Sequence, residues 1–173
     1  MQDADTDTAS GGPTAAIFAL QNPHIQVTVV DRDSFRIQKW KSKHLPVHEP
    51  GLARIVRITR DGTNVGSYTC NSNDGYPIHI PAREPNLFFS LDVEGNLAAA
   101  DIVFVSVNTP TKTTGLGAGA ATNLSDFESV ITTIAQYVKP GCIVVEKSTV
   151  PCGTAQIVRK IVSQIPTLSM RFC

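Results

Sequence analysis

Two short runs, Asp101-Ile-Val-Phe-Val-Ser-Val107 and Cys142-Ile-Val-Val-Glu146, are almost continuously apolar. A strand with one wet face alternates apolar and polar residues. A run without alternation suits a strand in a parallel sheet whose two faces are covered by helices. Parallel neighbours need a long crossover between them, and the sequence supplies one. Leu124, Phe127, Val130, Ile131, Ile134, Ala135 and Val138 fall at helical spacing, Asn123 can cap that helix, and Lys139-Pro-Gly141 stops it.

The same alternation extends in both directions. The β-branched run Ile25-Gln-Val-Thr-Val-Val-Asp31 reads as a strand, preceded by a helix over 13–21 with Pro13 in its first turn. Asp33-Ser34 can cap a short helix to about Trp40, 45–51 is a loop, and 52–58 reads as helical. Asn86-Leu-Phe-Phe-Ser90 is a short strand, 93–99 a helix, 108–122 a Thr- and Gly-rich loop, and 151–165 a last helix. Strands alternating with helices give an α/β fold, a Rossmann-like doubly wound parallel sheet. Gln2-Asp-Ala-Asp-Thr-Asp-Thr-Ala9, where a first strand is due, is polar and acidic, so the sheet is expected to lack its first strand. Residues 1–10 are expected to be disordered, 11–165 to form the domain, 60–85 to be a loop insertion rich in turn residues, and 166–173 to be a tail.

A length of 173 residues suits one domain, and 42% hydrophobic with 17% charged residues suits a globular one. Fifteen basic and fifteen acidic residues cancel, which gives no electrostatic reason for a nucleic-acid or membrane partner. No run is long and apolar enough to span a bilayer, and the acidic start is no secretory signal. Cys70, Cys142, Cys152 and Cys173 have neither metal-ligand nor disulfide-framework spacing, so no metal site is expected and the expected location is cytoplasmic.

In open α/β sheets ligands sit beyond the carboxyl ends of the strands. Asp31 ends the first strand read here. Its carboxylate suits the two ribose hydroxyls of an NAD adenosine, and Gly11, twenty residues earlier, has the spacing of a dinucleotide-binding turn; a surface turn and an ordinary strand-ending Asp read equally well. Asn108-Thr-Pro-Thr-Lys112 follows the next major strand and suits a ribose or nicotinamide, or is a proline turn. Ser148 and Thr149 follow the strand at 142–146, where a helix start makes them a cap or places their hydroxyls near a cofactor. Cys152 opens that helix, which can lower a thiol pKa, but a plain core or surface role is the simpler reading for it and for Cys142.

Together, Ser106-Val-Asn-Thr-Pro-Thr-Lys112, Glu146-Lys-Ser-Thr-Val-Pro151, Gly12-Pro-Thr14, Val27-Thr-Val-Val-Asp31, Leu45-Pro-Val-His-Glu-Pro-Gly-Leu52 and Asn86-Leu-Phe-Phe-Ser90 resemble, in order, the UDP-glucose 6-dehydrogenase family. The resemblance implies NAD as cofactor and UDP-glucose as substrate, oxidised to UDP-glucuronate; a GDP-mannose dehydrogenase is the related alternative. It assigns Asp31 and Arg36 to the adenosine ribose, Gly11 and Gly12 to the end of the pyrophosphate loop, and Val107, Asn108, Thr109, Pro110 and Thr111 to the cofactor lining. Ser148 and Thr149 go to the nicotinamide side, with Thr149 helping to organise a catalytic water, and Glu49 to Gly51 to a loop near the cofactor and substrate face. The family's Asn-Pro-Glu-Phe segment, catalytic lysine and asparagine, thiol nucleophile and dimer-forming helix have no counterpart here. The family is homo-oligomeric, and the resemblance implies a chain that binds NAD without turning over UDP-glucose.

Overall fold

The computed structural model describes residues 8–64, 81–116, 118–163 and 171–172. The described elements run α1 (Thr8–Gln21), β1 (Val27–Val30), α2 (Ser34–Lys41), α3 (Leu52–Asp61), β2 (Leu87–Ser90), α4 (Val93–Ala99), β3 (Ile102–Val105), α5 (Ser125–Tyr137), β4 (Ile143–Glu146), α6 (Thr154–Ser163) and β5 (Arg171–Phe172). They fall into two compact units, Gly11–Leu91 and a second of Met1–Ser10 with Asp92–Cys173.

In the Gly11–Leu91 unit, β1 and β2 pair in parallel, Val27 opposite Leu87 and Val30 opposite Ser90. Leu87 and Phe89 point to one face, where they are buried with Ala16, Ala19, Ile37, Trp40, Leu52 and Val56 from α1, α2 and α3. Asp33 caps α2 by accepting from the amides of Phe35 and Arg36, as its residue type suggests. The carboxy-terminal carbonyls of α1, which have no partner within the helix, are met by residues distant in sequence. Arg83 donates to Ala19 and Leu20, and the Asn86 amide donates to Ala19, Asn22 and Ile25 at 2.9–3.0 Å. Arg83 also exchanges backbone hydrogen bonds with Thr63, closing the base of the 64–82 segment. The outer residues of the expected insertion are therefore built into the unit; 65–80 lies outside the described residues.

In the other unit β3, β4 and β5 pair in parallel in that order. Phe127, Ile131, Ile134 and Ala135 of α5 pack with Leu97, Val105, Val144 and Val158 into its core. Lys139 Nζ closes the α5–β4 turn on the start of β3, 2.6 Å from Asp101 and 3.1 Å from the Ala99 carbonyl.

Among the described residues the strands pair as two sheets, β1-β2 and β3-β4-β5, all in parallel.

Several boundaries differ from the sequence reading. Helix α1 starts at Thr8, five residues before Pro13, so 8–10 belong to a helix and Pro13 sits inside it; residues 1–7 lie outside the description. Proline inside a helix removes one intrahelical bond and its ring crowds the carbonyl four residues earlier, so α1 carries Pro13 at a cost. Helix α6 starts at Thr154, because Gly153 at φ 93 cannot continue a right-handed helix. The tail contributes β5, although 164–170 and 173 lie outside the described residues. The expectation that helices cover both faces of the 101–107 strand is corrected as well: Val105 is buried, while Ile102 and Phe104, on the other face, are each 48% exposed. Alternate residues of a strand face opposite sides, and α5 and α6 pack on only one of them.

Candidate functional site

Asp31 follows the last residue of β1, and its amide is held by the Ser90 carbonyl at the end of β2. Its side chain is only 16% exposed. One carboxylate oxygen accepts from the Asp33 amide at 2.9 Å, and the other lies 3.5 Å from the Arg36 guanidinium. Arg36 also reaches Asp33 at 3.5 Å. Asp33 in turn caps α2, so cap, cation and strand-end carboxylate form one fixed cluster. An ionised carboxylate offers about four acceptor positions, which leaves Asp31 with capacity for further donors.

The loops after β3 and β4 are stitched together by the residues singled out in the sequence. Ser148 Oγ accepts from the Val107 amide at 2.8 Å, and the Lys147 and Ser148 amides both donate to the Val105 carbonyl. The Thr109 hydroxyl donates to the Thr149 carbonyl at 2.6 Å. The 110–123 loop folds back on itself: Asn123 donates to Pro110, Thr111 bridges Thr122, and Lys112 pairs with Ala121 and Gly119. Asn108 and Thr149 present exposed side chains at this strand-end rim. Ser148 and Thr149 precede α6 by several residues, so they do not cap it, and Cys152 lies in the intervening turn. Beneath the rim, burial pushes the Glu146 carboxyl above its ordinary range, and its Oε1 has no hydrogen-bond partner. Burial likewise raises the Cys142 thiol, which sets it apart from an activated nucleophile.

Gly11 and Gly12 do not sit in a loop. Both lie within α1, and neither has a positive φ. Gly12 is buried, and a Cβ built on it would collide with the Trp40 ring. Its lack of a side chain serves the contact between α1 and α2, and no glycine turn is offered there for a pyrophosphate. The Asp31 carboxylate keeps acceptor positions of the kind a ribose diol needs, and the loops after β3 and β4 present the exposed Asn108 and Thr149 side chains.

Sequence reasoning missed Asp33 as the partner that fixes Arg36, and missed Arg83 and Asn86 as the caps of α1. Asp33 had a usable signal, a carboxylate three residues before an arginine at a helix start. Arg83 had none, since its partners are more than sixty residues away.

The family model "UDP-glucose/GDP-mannose dehydrogenase family, NAD binding domain" matches residues 10–74 and 78–171. The match therefore runs through the expected 60–85 insertion except at 75–77. UDP-glucose 6-dehydrogenase 3 of Oryza sativa subsp. japonica is 47% identical over 153 residues, 88% of this chain and 27% of that protein. UDP-glucose 6-dehydrogenase 1 of Arabidopsis thaliana is 46% identical over the same shares. The chain thus spans about 27% of the length of these relatives. Among solved structures, a UDP-glucose dehydrogenase from the archaeon Pyrobaculum islandicum aligns with TM-score 0.66 and 23% identity, over 94% of this chain and 32% of that one. At that identity the likeness speaks for the fold. No helix among the described residues is long and apolar enough to cross a membrane.

Proposed function

The chain belongs to the UDP-glucose/GDP-mannose dehydrogenase family, matching its NAD-binding domain, and from that premise we propose that it holds NAD for oxidation of a UDP-sugar, UDP-glucose being the substrate favoured by its most similar relatives. The observation that carries this reading is the Asp31 carboxylate, nearly buried at the end of β1 and fixed by Asp33 and Arg36. Its remaining lone pairs accept from the 2′- and 3′-hydroxyls of the adenosine ribose. The loops at 107–111 and 148–149, locked together by Ser148 and Thr109, line the nicotinamide end. NAD, when bound, supplies a hydride acceptor. The exposed Thr149 hydroxyl orients a water, while its own carbonyl is pinned by Thr109. Gly12 contributes through the packing of α1 against Trp40 of α2.

A chain spanning about 27% of its relatives supports a second reading, a cofactor-holding module whose catalytic lysine, asparagine and thiol come from elsewhere. On that reading the purified chain yields no NADH from UDP-glucose. The free thiols of Cys142 and Cys152 support a reducing, cytosolic setting.

A calorimetric comparison of NAD with NADP tests the proposal. A fixed carboxylate welcomes the ribose diol and repels a 2′-phosphate. NAD is expected to bind at least about tenfold more tightly than NADP, a difference of about 1.4 kcal/mol. Asp31→Ala is expected to weaken NAD by about tenfold and, by removing the charge that repels the 2′-phosphate, to strengthen NADP. Equal affinities in the unmodified chain, or an Asp31→Ala variant that binds NAD as well as its parent, would overturn the assignment.

A further inference from the structure

The segment joining α2 to α3, whose 49–51 loop the family resemblance sets near the cofactor and substrate face, walls a cavity of about 460 Å³ that includes neither Asp31 nor Arg36. Its charged lining is Lys43, His44, His48, Glu49, Arg54 and Arg57. Three permanent cations and two imidazoles face one carboxylate, in a chain whose net charge is zero. Such a concentration of one sign in a concave wall raises the local potential and favours anions.

Two further observations point the same way. Arg54 Nη2 is buried and has no hydrogen-bond partner among the described residues. A buried guanidinium nitrogen left unpaired is costly unless an acceptor reaches it, and this one lines the cavity. The amino terminus of α3 also opens here. Its cap is Gly51 at φ 81, which makes no side-chain capping bond, and Gly51 and Ala53 both line the cavity. An uncapped helix start carries partial positive charge and favours anionic groups.

The walls are held rigidly. Arg60 donates to the Trp40 and Ser42 carbonyls at 2.9 and 3.0 Å, fixing the end of α2 against α3. Asp61 holds Arg60 in place with two hydrogen bonds, which push the Asp61 carboxyl below its ordinary range. Ser42 Oγ accepts from the His44 amide, and its single hydrogen has the Lys39 and His44 carbonyls as alternative acceptors, while the Leu52 amide donates to the Glu49 carbonyl. Arg57 folds back onto the Ala53 carbonyl through Nε. Of the lining cations, Arg57 is thus positioned in advance, which lowers the ordering cost of binding.

We propose that this cavity is a second anion site, separate from the Asp31 site, that takes the phosphate groups of a small phosphorylated molecule, with the buried Nη2 of the partly buried Arg54 as its anchor and Arg57, Lys43 and the start of α3 around it. A guanidinium matches two phosphate oxygens at once, and the cavity exceeds a single phosphate in size, leaving room for the body of a sugar phosphate or nucleotide. The proposal stands whether or not the Asp31 assignment does.

Inorganic pyrophosphate is the probe. Titrated calorimetrically into the full chain at low salt, it is expected to bind saturably at one site, with and without saturating NAD. Arg54→Gln is expected to weaken it about tenfold, and Asp31→Ala to leave it unchanged. If Arg54→Gln melts without cooperativity, the exposed Lys43→Gln and Arg57→Gln pair replaces it, with the same expected loss. Absence of saturable binding would overturn the proposal. So would binding untouched by the Arg54 variant or its replacement pair, or binding displaced by NAD and lost in Asp31→Ala, which would put pyrophosphate in the dinucleotide site.

Discussion

A chain carrying one additional apolar strand and a glycine-rich turn directly ahead of α1 melts about 10 °C higher than the chain as it stands. The expectation follows from strand order. Among the described residues β1 pairs only with β2, and β3 only with β4, so each keeps one open ladder edge. Helix α1 leads into β1, and right-handed crossover chirality puts a strand preceding α1 parallel to β1 in the same sheet. Each buried Val, Ile or Leu on it contributes about 1.5–3 kcal/mol, against about 1–2 kcal/mol per residue for ordering the backbone. Five such residues leave a net gain of a few kcal/mol, and at about 2–4 °C per kcal/mol for a domain of this size the shift is about 10 °C. Closing open edges also lowers the tendency to aggregate. Calorimetric melting of the two chains decides it. An unchanged or lowered melting temperature would mean that the added strand does not pair with the open edge of β1.

Trp40→Ala destabilises the Gly11–Leu91 unit by about 3–5 kcal/mol, the cost of emptying a fully buried indole site. Trp40 has no exposed surface and stacks on Phe89 with ring centroids 5.6 Å apart. Its Nε1 is buried without a hydrogen-bond partner, so the ring contributes through its apolar body. The same ring occupies the space a Gly12 side chain would need. Gly12→Ala gains about 1 kcal/mol of helix propensity. It forces a methyl into a filled site, which costs about 1–3 kcal/mol or more, so the single variant is destabilised. In a Trp40→Ala background the clash is gone, and Gly12→Ala is expected to be neutral or stabilising. Urea unfolding of the four proteins in this cycle measures the coupling. Additive losses would show that Gly12 is not held to glycine by Trp40.

Much of this architecture was legible in the chain. The unbroken apolar runs at β3 and β4 and the 3.6-residue spacing over α5 are strong local signals, and Asp33 announces the start of α2 by its type alone. The strand-end residues were legible because a doubly wound sheet puts its ligands at one edge: Asp31, Thr109 and Ser148 all stand at strand ends and are structurally engaged there. What sequence did not disclose depends on distant contacts. Gly11 and Gly12 looked like the end of a glycine turn, and only the approach of Trp40 shows why Gly12 has no side chain. Ser148 looked like a helix cap, yet its hydroxyl meets the Val107 amide across two loops. Arg83 sat within what read as an insertion, and its partners on α1 carry no local signature. The cavity beside α3 draws its charges from positions 43–57, where no periodicity marks them as neighbours.

The most direct test of the central reading is an amide correlation spectrum of the isotope-labelled chain, titrated with NAD. Saturable shifts are expected at 31–36, with a midpoint raised about tenfold in Asp31→Ala, and saturable shifts are expected at 107–111 and 148–149. Shifts absent from these strand ends, or confined to the 43–57 cavity, would contradict it.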